Sequence, residues 1–400
     1  MLTNRTENSS SSNSFRVAVV GPVFPYKGGI AHYTGLLAKE LAKTHDVAVF
    51  SFSLQYPRFL YPGEKQKDYE NDFFKIEKTR YLINTINPFT WLRAGLAISR
   101  FSPDVVILPW WNPFFGPAFS AIAFLVRLFS RSRVLFLIHN VLPHERLPCD
   151  RLITSFTLKR GDFYIVQSRE DEAKLLDILQ TPVYRKTFHP TYNAFKHEEL
   201  SQEEARRRLS LSPGAKVLLF FGFVREYKGL MYLIEALPAI RERLPDTKLL
   251  VVGDFYDGKQ KYLRRIEELG AASMVVIYDG YLPDKEVGLY FSASDLVVLP
   301  YSSATQSGIV QIAYGFGKPV VVTSVGGLPE VVEDGRTGFV VPPKNAGALA
   351  EAVVRFFELN KAGDFSAAIE GEQERFSWRK MVETIEELMR EQGGLSTPRA

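Results

Sequence analysis

Short, almost uninterrupted apolar runs recur along the chain, separated by stretches whose apolar positions fall at helical spacing. In the first half the runs are Arg16–Val20, Val47–Phe52, Val105–Leu108, Val134–Ile138 and Phe163–Val166. In the second half they are Val217–Phe221, Lys248–Val252, Met274–Ile277, Leu296–Leu299 and Pro319–Val322. A strand with one wet face alternates apolar and polar residues. These runs do not alternate, so they are expected to be buried on both faces, in parallel sheets covered by helices. Helical patterns lie between them, as at Ile30–Ala42, Leu230–Arg243 and Leu263–Leu269. Repeated strand–helix alternation predicts an α/β chain of two Rossmann-like, doubly wound parallel-sheet domains.

The two halves echo each other. The first strand leads into Gly21 and then Tyr26-Lys27-Gly28, and the strand at Val217 leads into Gly222 and then Tyr227-Lys228-Gly229, with the same spacing. A helix follows each time, as the first strand–helix turn of a Rossmann-like unit requires. The boundary is expected within Pro190–Ser212, where a charged helical segment, Glu198–Arg208, follows His189-Pro190. That gives an N-terminal domain over residues 15–195 and a C-terminal domain over 196–372. A last amphipathic helix, Arg379–Arg390, opens at Phe376-Ser377-Trp378 and is expected to pack back toward the first domain, within residues 373–392. Residues 1–14, rich in Asn, Ser and Thr without an apolar core, read as a disordered leader, and residues 393–400 as a disordered tail.

Composition narrows the chemistry. Over 400 residues, Lys+Arg 49 against Asp+Glu 45 leaves a net charge of +4. That is too mild to make nucleic acid the main partner, but it allows a patch that meets phosphate or anionic lipid. The single cysteine, Cys149, forbids an intrachain disulfide and argues against a cysteine-based metal cage. A reducing cytoplasm fits best, with a peripheral place at the inner face of the membrane as the further option. The most apolar stretch, Phe114–Phe129, is interrupted by Arg127 and is shorter than the roughly 20 residues a spanning helix needs. It is expected to be mainly core, with Arg127, Arg131 and Arg133 as candidates for contact with an anionic membrane.

Candidate chemistry gathers at strand–helix turns. Pro25-Tyr26-Lys27-Gly28-Gly29 follows the first strand; Gly28 and Gly29 let a ligand approach the backbone, and the helix start offers free N–H groups. In the second half Arg225 and Lys228 flank a turn ending at Gly229, and two cations before a helix suit a diphosphate. Further on, Thr305-Gln306-Ser307-Gly308 precedes the helical pattern Ile309–Phe316. Ser307 is a good N-cap there, and Gln306, Ser307 and Gly308 could hold a phosphate or a sugar hydroxyl; the local pattern fits an ordinary capped helix equally well. In the first half His139, Asn140, His144 and Glu145 follow the strand Val134–Ile138, where α/β sheets bind ligands. No Asp-x-Asp pair is present to hold a nucleotide-bound metal ion.

Taken together, these motifs resemble those of retaining, GT-B-type glycosyltransferases of group 1, or family 4, from about Phe15 to Glu391. The resemblance rests on Gly28-Gly29, Gly222 to Lys228-Gly229, and Asp295-Leu-Val-Val-Leu-Pro300. It also rests on Gly317-Lys318-Pro319-Val320, Gly326-Gly327-Leu328-Pro329-Glu330 and Phe376-Ser377-Trp378. It implies two domains facing a cleft, with a nucleotide-diphosphate sugar on the C-terminal domain and a saccharide or lipid-linked acceptor on the N-terminal one. It also implies transfer with retention, no cofactor and no metal, in cell-surface polysaccharide or glycolipid synthesis. On this resemblance Lys228 falls on the family's lysine, Gly28-Gly29 on its glycine loop and His139 on the histidine facing the donor sugar. Arg225, Lys228 and His139 are thus the expected catalytic residues; Gly28, Gly29, Gln306, Ser307 and Gly308 the donor contacts; His144 and Glu145 the acceptor-side candidates.

The chain departs from the family pattern in two places. Phe223 occupies the position of the family's arginine, for which Arg225 is the nearest replacement, and Ala304 and Ile312 occupy those of its paired glutamates. A GT-B epimerase or phosphorylase, and an inactive family member serving as scaffold, are the alternative readings.

Overall fold

The computed structural model describes residues 14–58, 66–69, 74–143, 147–196, 198–256 and 258–393. The leader and tail read from the sequence, Ser14 and Gly393 apart, lie outside these residues, as do His144 and Glu145.

Seven strands form the first sheet: β1 (Arg16–Val20), β2 (Asp46–Leu54), β3 (Thr79–Asn84), β4 (Val105–Trp110), β5 (Arg133–Ile138), β6 (Phe163–Val166) and β7 (Tyr184–Lys186). Six form the second: β8 (Lys216–Phe221), β9 (Thr247–Gly253), β10 (Val275–Asp279), β11 (Leu296–Leu299), β12 (Val320–Thr323) and β13 (Gly338–Val341). Spatial order is β3-β2-β1-β4-β5-β6-β7 and β10-β9-β8-β11-β12-β13. The strand pairs are parallel throughout. Chain direction across each sheet reverses once, between β1 and β4 and between β8 and β11. Crevices that take ligands open at that reversal, beyond the carboxyl ends of the strands.

Strand alternation distributes each sheet's side chains between two cores. Val17, Val19, Ile107 and Leu135 pack against Tyr33, Leu37 and Leu41 of the helix Gly29–Leu41. Ala18, Val20, Leu108 and Phe136 face the other way, against the helices Pro88–Phe101 and Gly116–Phe129. In the second sheet Leu218, Phe220 and Val251 face the helix Leu230–Arg243, while Val217, Leu219 and Val252 face the helices Asp284–Ala293 and Gly308–Gly315. Both faces of every central strand are therefore dry, which is why the runs read as continuous.

The last helix, Trp378–Gly393, leaves the second sheet and lies on the first. Its Met381, Val382, Ile385 and Leu388 join the core of Val17, Leu37 and Leu41. The crossing is fixed by Thr191, whose N–H donates to Phe376 O at 2.8 Å and whose carbonyl accepts from Trp378 Nε1 at 2.9 Å. The charged segment before the second sheet becomes helical only at Gln202–Arg208. There Arg206 pairs with Asp295 at 2.7 Å, and Asp295 also accepts from the Val217 N–H at 2.8 Å. Asp295 thus ties that helix to the start of β8. Lys318 is equally structural: its ammonium donates to Ser294 O at 2.7 Å, and burial pushes its pKa down to about 8.

The apolar segment Phe114–Phe129 divides. Trp110 before it and Phe115, Phe119 and Ile122 are buried, whereas Phe124, Leu128 and Phe129 are exposed. Arg127 and Arg133 are not both free to meet a membrane, because Asp162 pairs with Arg127 at 2.6 Å and lies 3.9 Å from Arg133; Arg131 is exposed. Cys149 is exposed. No helix among the described residues is long and apolar enough to cross a membrane.

Candidate functional site

The turn after β8 carries the cations. The Lys228 ammonium sits 3.9 Å from the centre of the Tyr301 ring, and no carboxylate among the described residues pairs with it. Loss of hydration, with a smaller opposing effect from Tyr227 and repulsion from Arg225, lowers its pKa. Only glycine fits at position 229: φ is 71°, and a Cβ there would lie 1.9 Å from Pro300 O. This close approach brings the turn against the end of β11, the neighbouring strand across the topological reversal. Arg225 lies over the Tyr256 ring at 4.9 Å, and Phe223 stands edge-on to the same ring at 5.1 Å. The position expected to carry an arginine is thus aromatic, and the guanidinium enters from two residues further along.

The helix Gly308–Gly315 begins beside this turn. A Cβ on Gly222 would stand 3.6 Å from Ile309 Cδ1. Ser307 occupies the N-cap position, but its hydroxyl makes no capping bond and instead meets Tyr301 Oη at 3.3 Å. This corrects the expectation of an ordinary cap. Among the described residues the first N–H groups of the helix therefore lack a side-chain cap, as an anion site requires. Lys228, Tyr301 and Ser307 form one continuous set of contacts. Among the described residues Gln306 Nε2, buried beside them, has no hydrogen-bond partner, an arrangement that costs stability unless water or a ligand satisfies it. Ala304 and Ile312, at the glutamate positions, are buried in the core.

The first sheet contributes the facing wall. His139 follows β5, and its backbone N–H donates to Trp110 O at 2.8 Å. Its ring stands edge-on to Tyr33 at 4.5 Å, and its buried Nε2 has no partner among the described residues. Burial, reinforced by nearby His189, lowers its pKa to about 3. The imidazole is therefore neutral at ordinary pH, and its two ring nitrogens offer one hydrogen-bond donor and one acceptor. Asn140 crosses the cleft: its Oδ1 accepts from the Thr305 hydroxyl. His139 is thereby brought next to the Thr305–Gly308 segment. The loop is held from behind by Asp171, which accepts from the Val141 N–H at 3.0 Å and from the Ser168 hydroxyl at 3.0 Å. Burial raises the Asp171 pKa to about 6 against those opposing hydrogen bonds.

Gly28 has φ 102°, which non-glycine residues rarely adopt, and a Cβ on either Gly28 or Gly29 would meet nothing within 4 Å. The glycine loop thus borders open space. Its neighbour Lys27 lies over the Tyr281 ring of the second domain at 3.5 Å, and Tyr192 Oη donates to Gly29 O at 3.5 Å. His32, one turn on, meets Asp284 at 2.8 Å. Glu330 is engaged elsewhere: it accepts from the Arg169 N–H at 2.7 Å and lies 3.5 Å from Lys186, linking the Gly326-Gly327 turn to the first domain. Sequence reasoning missed Asn140–Thr305, Tyr301 and Asp171. Tyr301, directly after Pro300, carried the signal of a strand's carboxyl end.

Two other cavities, of about 470 and 450 Å³, line up with the opposite ends of the strands, at Gly161–Asp162 and at Phe15, Asp104 and Arg133. Neither touches these residues. Among the described residues no group of three or more His, Cys, Asp or Glu could hold a metal ion.

Residues 215–358 match the family model for glycosyl transferases of group 1. Over 91% of the chain and 95% of the relative, the sequence is 25% identical to spore coat protein SA of Bacillus subtilis. It is 30% identical to D-inositol 3-phosphate glycosyltransferase of Pseudarthrobacter chlorophenolicus, over 46% of this chain and 42% of that one. The chain thus spans less than half the length of the second relative. The crystal structure of Anabaena HepE in complex with UDP shares the fold with TM-score 0.71 at 19% identity, over 94% of this chain and 100% of that one. WaaG, a glycosyltransferase involved in lipopolysaccharide biosynthesis, does so with TM-score 0.60 at 18% identity, over 90% and 95%. With two parallel sheets, a cleft at their carboxyl ends and these structural likenesses, the chain has a GT-B fold, and its residues 215–358 match the group 1 glycosyl transferase model.

Proposed function

We propose that the protein moves a hexose from a nucleotide-diphosphate sugar to a saccharide or lipid-linked acceptor, with retention and without a metal ion, in cell-surface polysaccharide or glycolipid synthesis. The observation that carries this reading is Lys228. It is an ammonium with no carboxylate partner among the described residues, beside a helix start whose N-cap hydroxyl is turned elsewhere. A diphosphate supplies the charge that this arrangement lacks. The complexes of HepE with UDP and with UDP-glucose support a uridine diphosphate sugar as the first donor to try.

In this reading Lys228, Arg225 and the first N–H groups of the helix Gly308–Gly315 neutralise the leaving diphosphate, the largest protein contribution to such a transfer. Neutral His139 accepts from or donates to a hydroxyl of the donor sugar, and Gln306 Nε2 donates to another. Gly28 and Gly29 admit substrate close to the backbone. The acceptor hydroxyl attacks on the face the diphosphate leaves, and its proton passes to a diphosphate oxygen, so no covalent nucleophile is needed.

A panel of nucleotide-sugars, followed for nucleotide release with and without added acceptor saccharides, tests the reading. Release that depends on Lys228 supports it. Thermal stabilisation by a donor without any release favours the scaffold alternative, to which the apolar Ala304 and Ile312 point.

A further inference from the structure

The helix Gly29–Leu41 opens at the glycine loop, and one turn in it buries Tyr33, 1% exposed. Its neighbours in the same core, Leu37, Ala38 and Leu41, carry no polar side-chain atom. A phenol costs stability in such a place unless its hydroxyl finds a partner. Here the hydroxyl accepts from Gln167 Nε2 at 3.4 Å, and Gln167, directly after β6, is itself buried. Three rings close round the phenol, each steeply inclined to it: His139 at 4.5 Å between centres, His189 at 4.9 Å and Trp378 at 4.9 Å. They come from the turn after β5, the crossing after β7 and the start of the last helix. Tyr33 thus joins segments that lie far apart in the chain.

The two imidazoles that touch Tyr33 are held differently. His189 donates from Nδ1 to Pro190 O at 3.0 Å, and its Nε2 lies 3.4 Å from Tyr192 Oη. Partners at both nitrogens fix the plane of that ring. His139 lacks them: among the described residues no hydrogen bond reaches its ring, and Nε2 is buried. Its backbone is fixed by the bond to Trp110 O, but the last torsion of a histidine side chain is broad and roughly two-fold. The histidine of a working site is usually oriented by a hydrogen bond on the nitrogen that faces away from the ligand. In this chain packing takes the place of that bond, and the perpendicular Tyr33 ring is the surface on which the imidazole rests.

We propose, building on the reading of His139 as a hydrogen-bonding partner of the donor sugar, that Tyr33 is a positioning residue: its ring holds the His139 imidazole aimed into the cleft, and is itself held by Gln167 at its hydroxyl and by the Trp378 ring. A perpendicular pair sets the positive edge of one ring against the negative face of the other, which resists rotation of the imidazole. Trp378 is anchored in turn, since its Nε1 donates to Thr191 O at 2.9 Å. The helix Trp378–Gly393 therefore reaches the site through two rings without touching substrate. A tyrosine that only filled the core would affect stability and leave the imidazole where it is. Phenylalanine at position 33 keeps the ring contact, whereas an aliphatic side chain fills the space and loses it.

Histidine ring resonances, measured by nuclear magnetic resonance without donor, and the kinetics of UDP release from UDP-glucose test it. Tyr33→Leu is expected to move the His139 resonances, assigned by their loss in His139→Ala, while Tyr33→Phe leaves them near those of the parent. In kinetics Tyr33→Leu should lower kcat about tenfold with donor KM within about twofold, as a misaimed group does, and Tyr33→Phe should restore kcat to within about threefold. In a His139→Ala background Tyr33→Leu should lower kcat by less than about twofold, because its effect passes through the imidazole. Tyr262→Leu, at an equally buried tyrosine of the second domain, controls for lost stability and should keep kcat. Tyr33→Met, whose flexible chain fills the space without a ring, takes the place of Tyr33→Leu where that variant does not fold. Unmoved His139 resonances in the ringless variant, or an undiminished loss of kcat in the His139→Ala background, would overturn the proposal. Moved resonances in a protein that releases no UDP would support the positioning of His139 and count against the donor reading alone.

Discussion

The Lys228 ammonium lies 3.9 Å from the centre of the Tyr301 ring. The ring face offers partial negative charge and no proton acceptor, so the ammonium is held in place while its hydrogen-bonding capacity stays available. Replacing Lys228 with alanine should lower kcat by about a hundredfold to a thousandfold, the usual loss when one donor to a developing anion is removed. Arg225→Ala should cost less alone and add to the first. Tyr301→Phe keeps the ring and should leave kcat within about threefold, since only its neutral contact with Ser307 is lost. Steady-state kinetics on the three variants decides this; unchanged kcat/KM in Lys228→Ala refutes the assignment.

Gln306 should matter to the donor and not to folding. Its buried Nε2 has no partner among the described residues, so removing it relieves an unsatisfied donor in the free protein and deletes a hydrogen bond in the complex. Gln306→Ala is expected to raise donor KM or lower kcat by about threefold to tenfold, while the unfolding midpoint stays or rises. Gln202, which bonds Ser294 O and Asp295, is unsuitable as a control. The exposed Gln180 serves instead.

Gly28 and Gly29 should respond differently to alanine although neither is crowded. At Gly28 the φ of 102° makes a Cβ cost about 1–3 kcal/mol, read as a lower denaturation midpoint. Gly29 begins a helix, where alanine is favourable. If Gly29→Ala destabilises as much as Gly28→Ala, the backbone geometry of the loop is misassigned.

Acid should weaken the fold before it reaches most surface carboxylates. Burial holds the folded-state pKa of His139 at about 3 and of His189 at about 4. Below about pH 6.5 the unfolded chain takes up protons that the folded histidines refuse, so stability falls with pH by up to roughly 1.4 kcal/mol per histidine per unit. Asp171, raised to about 6, acts in the opposite sense: the folded state keeps its proton longer, so its contribution is lost as pH rises from about 4 to 6. Two histidines outweigh one carboxyl. The unfolding midpoint should therefore drop from pH 7 to pH 5, and less steeply in His139→Asn. A midpoint that rises on acidification contradicts the neutral imidazoles.

Legibility in the sequence followed burial. Strands β1, β6 and β11 sit at the residues their apolar runs marked, because both faces of each are dry. The edge strands β3, β7 and β13 escaped notice: of Thr79–Asn84 only Ile83 is buried, Tyr184–Lys186 is polar, and the buried Gly338–Val341 is four residues long and opens on a glycine that reads as a turn. The turn glycines and Lys228 were legible because their constraints are local. His139 and Asn140 on the other wall were read from their place after a strand, but the contacts that join that wall to the second domain were not. Asn140 meets Thr305 across 165 positions and Glu330 meets Arg169 across 161, and neither residue type announces a partner so far away. Ser307 looked like a cap by local chemistry, and a buried tyrosine hydroxyl nearby took its bond.

The placement of the last helix sets an order on how the chain can be made. Met381, Ile385 and Leu388 complete the core around Val17 and Leu41, more than three hundred residues earlier in synthesis. Burying each such side chain contributes about 1.5–3 kcal/mol. Until those residues emerge from the ribosome, one side of the first sheet lacks its cover and its apolar side chains stay available to wrong partners. At about 5–20 residues per second, the nascent chain spends tens of seconds in that state while the second sheet is still being translated. The first domain to be synthesised is therefore the last to close.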